Sequence, residues 1–172
     1  IFEDSKVEKF EHNLDSYSVY ANGFNVLAKK VVVASHYPIK NFPGMYFIKI
    51  YQDSSYAIGI EIEENIFDGM YISCDTPTTS FRNTIQDNGK KLLIVGGSSH
   101  KTGDTNIHIE NSYINLENYI KSIYPKAEVK YRWSTEDCVT LDKIPYIGRF
   151  SKLYNNMYVA TGFNKWGMTS SN

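Results

Sequence analysis

The chain has 172 residues, 42% of them hydrophobic and 15% aromatic, with Lys+Arg 18 against Asp+Glu 19 and a net charge of -1. That length suits one domain, or one domain with pieces of another, and the apolar share supports a buried core. The even charge argues against a nucleic-acid partner, which needs a basic face. No stretch approaches the roughly 20 apolar residues of a membrane span, so no membrane role is expected.

In chain order, Val7–Glu11 alternates apolar and polar side chains, the period of a half-exposed strand. Asn22-Gly23 marks a turn. Ala28–Ala34 reads as a continuous β-branched run and is expected as a strand buried on both faces in the intact protein. Tyr37–Gly44, with its two prolines, is a connector and the expected crossing between domains.

From Met45 to Val95 the pattern predicts strands at Tyr46–Tyr51, Tyr56–Glu61, Gly69–Cys74, Ser80–Thr84 and Lys91–Val95. Polar turns separate them at Gln52–Ser55, Asn65–Asp68, Asp75–Pro77 and Asp87–Gly89. Tyr113, Leu116, Ile120 and Ile123 recur at helical spacing before Pro125, which predicts a helix over Asn111–Tyr124. Strands follow at Ala127–Trp133 and Asn156–Ala160, and a helix begins at Gly167.

A meander with one long helix predicts an α+β fold, a mixed, mainly antiparallel sheet with a helix on one face. The expected division is 1–36 as strands of a neighbouring layer, 37–144 as the α+β domain, and 145–172 as a return to that layer. Ile1 in place of Met, and an ending inside a helix start, suggest a fragment. The exposed Val31–Ala34 run of such a fragment is expected to seek a partner, a second copy included.

Cys74 and Cys138 form no CxxC, which fits reduced thiols in a cytoplasmic protein. Gly96–Gly103 lacks the order of a phosphate loop and is expected as a loop after a strand. His12, His36, His100 and His108 show no convincing metal spacing, and no metal site is expected. No Gly-x-Ser-x-Gly elbow is present.

The richest stretch runs from Tyr131-Arg132-Trp133 through Asp137, Asp142-Lys143-Ile144-Pro145-Tyr146-Ile147-Gly148-Arg149, and Thr161-Gly162-Phe163-Asn164-Lys165-Trp166-Gly167-Met168-Thr169. A strand ending at Gly162 and a helix opening at Gly167 would present backbone N–H groups to negative charge. Without a ligand it would be an ordinary strand-to-helix turn.

The order Trp, Asp-x-x-Pro-x-Ile-Gly, strand, Gly-x-x-x-x-Gly, helix resembles the C-terminal flavin-contacting segment of the D-amino-acid oxidase/glycine oxidase/sarcosine oxidase family. Val31-Val32-Val33-Ala34-Ser35-His36 resembles that family's strand leading from the FAD domain to the substrate domain. The likeness is nearest to a subgroup whose full chains also carry a C-terminal Rieske [2Fe–2S] domain. It implies oxidation of a C–N bond of a small amine or amino acid, with FAD as hydride acceptor.

The resemblance implies flavin contacts from Gly162, Phe163, Asn164, Trp166, Gly167, Met168 and Thr169. Lys165 matches a family Arg that helps hold a substrate carboxylate, and Asp137 matches a second Arg, which would favour a cationic or amine substrate. Asp137 is otherwise a surface carboxylate of the loop after the Trp strand. Arg132 is either a substrate contact in the cleft or, preferred, an ion-pair partner on the sheet. The GxGxxG fingerprint and Rieske ligands are absent, so this chain by itself is expected to bind no FAD and to be inactive. The rival reading is a non-enzymatic α+β module that binds a ligand or protein.

Overall fold

A computed structural model describes residues 1–62 and 67–170. Its contacts divide into two compact units, the first Ile1–Tyr51 with Cys138–Asn172 and the second Gln52–Asp137.

The first unit opens with β1 (Val7–His12), β2 (Tyr17–Ala21) and β3 (Phe24–Ala28), an antiparallel meander turned at Asn22-Gly23. The Ala28–Ala34 run is not one strand. It breaks at Lys29-Lys30, where two lysines require solvent, and resumes as β4 (Val31–Val33). Among the described residues one face of β4 is covered and the other open, with Val33 buried and Val32 62% exposed.

The second unit centres on β5 (Ile50–Glu61), whose first two residues belong to the first unit, with β6 (Met70–Ile72), β7 (Ser80–Ile85) and β8 (Lys91–Lys101). Helix α1 (Ile109–Ile123) follows, then β9 (Glu128–Thr140). The sheet order is β6-β7-β8-β5-β9, with antiparallel pairing across β6-β7, β7-β8 and β8-β5. The mainly antiparallel α+β fold expected from the sequence is what forms.

Its core is mainly aliphatic, with Tyr56 buried in it and Phe67, Phe81, Tyr113 and Tyr124 packed against it. Ile58, Ile60, Leu93 and Val95 of the sheet meet Leu116 and Ile120 of α1. Each such side chain contributes about 1.5–3 kcal/mol by leaving water. Glu110 in the first turn and Lys121 in the last favour the helix dipole. The Tyr124 N–H closes the end on the Ile120 carbonyl at 2.8 Å, and Pro125 permits no further turn.

Three strands depart from expectation, and in β5 side-chain hydrogen bonds satisfy the polar stretch that reads as a turn. Tyr46–Ile48 is a 3-10 turn, and β5 begins at Ile50 and runs through the Gln52–Ser55 expected as a turn. There the buried Ser54 hydroxyl pairs with the Thr102 hydroxyl at 2.7 Å, and Ser55 Oγ donates to Asp137 Oδ2 at 3.3 Å. The Gly96–Lys101 stretch expected as a loop continues β8, with a register shift opposite Ser54–Tyr56. β9 likewise passes Trp133 and reaches Thr140, so Asp137 stands on a strand and not in a loop. The turn expected at 65–68 lies partly outside the described residues.

The chain returns to the first unit through β10 (Tyr146–Arg149), β11 (Met157–Thr161) and α2 (Gly167–Ser170). β11 pairs antiparallel with β10 and parallel with β4. The core of this unit gathers Tyr17, Val33, Tyr46, Ile50, Cys138, Phe150, Met157 and Val159.

Candidate functional site

The turn after β11 is tightly specified. Gly162 has φ +75, and a methyl group there would overlap Thr140 Cγ2, so both backbone angle and space require glycine. Phe163 bridges Val139, and the Asn164 N–H donates to the Cys138 carbonyl at 3.0 Å. Asn164 itself has φ 55, a conformation Asn tolerates better than most residues. The Trp166 N–H closes on the Phe163 carbonyl at 3.0 Å, and Gly167 then starts α2. Before the turn, the Thr161 hydroxyl donates to the His36 carbonyl, tying β11 to the segment after β4.

Two amides of this loop are therefore already committed to protein carbonyls. What the loop offers outward is side chains and the opening of α2. Lys165 is exposed, Trp166 is 58% exposed and Met168 is 88% exposed. At Gly167 a Cβ would meet only Phe163 Cβ, at 3.8 Å. An open glycine between an exposed Trp and Met suits a flat ring laid against the backbone, which is the shape of an isoalloxazine, so the residues present fit a flavin.

A cavity of about 490 Å³ lies elsewhere in the same unit, lined by Tyr46, Lys49, Pro145–Phe150 and Val159. Tyr46 donates to the Phe150 carbonyl at 2.9 Å, and Lys49 Nζ donates to the Gly44 carbonyl at 2.8 Å. Burial pushes the Tyr46 phenol up. Burial does the same for Tyr146, helped by the Asp142 carboxylate. The sequence marked Tyr146–Arg149 only as part of a motif, and nothing in it signalled that Tyr46 and Lys49, about a hundred residues earlier, would line the same space.

Arg132 and Asp137 belong to the second unit. Arg132 Nη1 meets Glu110 Oε1 at 2.6 Å and Nη2 meets Glu117 Oε2 at 2.9 Å, with the guanidinium over the Tyr113 ring. Those carboxylates, Glu110 first, hold the guanidinium in its charged form. Glu117 is in turn held below the usual carboxylate range, first by Lys121 and then by Arg132. Arg132 thus braces α1 against β9. Asp137 is half-buried beside Ser55. The second unit also holds a pair that sequence reasoning missed, the buried Tyr56 hydroxyl and His100 Nε2 at 2.9 Å. Among the described residues no group of His, Cys, Asp and Glu could hold a metal, and no helix is long and apolar enough to cross a membrane.

The model of the FAD dependent oxidoreductase (DAO) family matches residues 1–172. The chain belongs to that family. This DAO chain is 40% identical over 146 residues to a Bacillus subtilis (strain 168) protein provisionally named Rieske 2Fe-2S iron-sulfur protein YhfW, covering 85% of this chain and 28% of that protein. Its fold matches glycine oxidase from Geobacillus kaustophilus (TM-score 0.73, 19% identity, 97% of this chain and 45% of that one). It also matches glycine oxidase from Bacillus cereus ATCC 14579 (TM-score 0.72, 17% identity, 97% and 46%). The chain therefore spans less than half the length of these relatives. Both the DAO kinship and the Rieske association implied by the sequence motifs are met in these relatives.

Proposed function

We propose that the whole protein oxidises a C–N bond of a small amine or amino acid, and that this chain supplies its substrate-side sheet and the loop that meets the flavin. The observation that carries the reading is the Gly162–Gly167 loop, fixed by Thr140 and Cys138 behind and open in front. FAD, when bound, supplies the acceptor for the hydride that leaves the carbon bearing the amine. Gly162, Phe163, Asn164, Trp166, Gly167, Met168 and Thr169 form the surface against which the ring rests. Lys165, in the first unit, supplies a point charge suited to an anionic group, and Asp137, in the second, supplies a carboxylate suited to a cationic one. Arg132 serves the sheet.

The name of the Bacillus subtilis relative supports a Rieske centre in the same protein, which would carry electrons away singly. By itself this chain takes up no FAD, because the pyrophosphate needs a glycine-rich turn at a helix N-terminus. The open face of β4 favours pairing with a second copy.

The test is Lys165→Met in the full-length protein. A charged hydrogen bond is worth roughly 1.5–3 kcal/mol, so apparent substrate binding should weaken about tenfold to a hundredfold while bound FAD stays constant. Unchanged KM with less FAD would assign Lys165 to the cofactor, and no change in either would return it to the surface.

A further inference from the structure

The second unit's sheet has two unlike faces. One is covered by α1, which takes Ile58 and Ile60 from β5 and Arg132 from β9. The other carries the alternate residues. Gly59, between Ile58 and Ile60, points away from α1, and its Cβ position lies 3.1 Å from the Tyr131 ring. Tyr131 is therefore on the face away from α1. Strand alternation places Trp133, Thr135 and Asp137 there with it. The Ser55–Asp137 hydrogen bond agrees, since Ser55 neighbours the core residue Tyr56 and so faces the other way.

This face is a graded strip. At one end stands Asp137, its carboxylate met by Ser55. At the other are Trp133, 40% exposed, and Tyr131, 52% exposed. Four residues at about 3.3 Å each separate Asp137 from Trp133 by about 13 Å. On β9 Thr135 is the side chain of that face between them, and the neighbouring strand β5 offers Ala57 and Gly59 there, with Leu92 of β8 beside Gly59. The result is a shallow trough with a carboxylate at one end, aromatic surface at the other and small side chains between.

The geometry points to a specificity site for an amine with a long, flat apolar arm. The substrate's ammonium pairs with Asp137, held in place by Ser55, and its aromatic arm lies along β9 onto Trp133. A carboxylate complements an ammonium, and a half-exposed indole gains by stacking on a flat group. This deepens the proposed amine oxidation, on which it rests. Glycine, which has no arm, would leave the Trp133 end unused.

The experiment is anaerobic reduction of the full-length flavoprotein by glycine and by racemic homophenylalanine, in the parent and in Trp133→Ala, Trp133→Phe and Asp137→Asn. The parent should prefer homophenylalanine. Trp133→Ala should lower its second-order rate of flavin reduction about tenfold or more, the scale of a lost apolar pocket contact, while leaving glycine unchanged, and Trp133→Phe should restore much of the loss. Asp137→Asn should weaken both substrates, chiefly by raising the concentration that half-saturates flavin reduction. Equal rates for the two substrates in the parent, or equal losses for both in Trp133→Ala, would overturn the trough. So would a changed oligomeric state in Trp133→Ala with kinetics intact, since the face would then belong to a second copy. Failure of every amine to reduce the flavin would instead overturn the amine oxidase reading beneath it.

Discussion

The two units solve the same problem by different means. The second is built from a single run of chain, Gln52–Asp137, around Ile58, Ile60, Leu93, Val95, Leu116 and Ile120. The first joins two runs distant in sequence, and does so with hydroxyl-bearing aromatics. Tyr17 donates to the Asn155 carbonyl and Tyr46 to the Phe150 carbonyl, so each phenol fills the core and ties one run to the other. Aliphatic packing tolerates local rearrangement, whereas a buried tyrosine needs its partner in place. In the first unit such bonds join distant runs, beside the β4–β11 ladder, whereas the second unit's buried tyrosine, Tyr56, meets His100 within a single run.

Leu93→Ala is the largest expected break in that contrast. The side chain is fully buried in the second core, so its loss should cost about 2–5 kcal/mol. Denaturant unfolding should show the loss, and amide exchange should assign it to the second unit. A loss shared equally by the first unit would mean that the two unfold as one.

Gly162→Ala should come next, at about 2–4 kcal/mol, combining a left-handed backbone with overlap of Thr140. A companion Thr140→Ser change removes the overlapping methyl while keeping a hydroxyl for the Ile144 carbonyl, which Thr140 Oγ1 now meets at 2.9 Å. Restoration of part of the stability in the double variant would separate steric overlap from backbone strain. No recovery would assign the whole effect to φ.

Tyr46→Phe should be the smallest of the three. It keeps the ring but strips the Phe150 carbonyl of its partner, at about 1–3 kcal/mol. The loss should fall in the first unit alone. A neutral result would mean that water reaches that carbonyl, and would weaken the contrast drawn between the two cores.

The sequence itself determined the helix, because Leu116 and Ile120 at helical spacing with Pro125 beyond leave few other ways to bury that stripe. It determined the antiparallel character of the sheet through alternation and turn residues. It also carried the DAO motifs, since the Gly162–Gly167 spacing and the Asp-x-x-Pro-x-Ile-Gly run are local in the chain.

Only the tertiary structure decided what distant residues make of each other. Polar stretches at Gln52–Ser55 and Gly96–Lys101 became strand because Thr102, Asp137 and the neighbouring ladder satisfy them. Arg132 became a brace for α1 because Glu110 and Glu117 stand opposite it. Tyr46 joined Tyr146 around one cavity although a hundred residues separate them. Periodicity records which face a residue prefers, but the partner that fulfils a hydrogen bond or a charge is fixed only when the chain folds back, and a linear pattern holds no record of that partner.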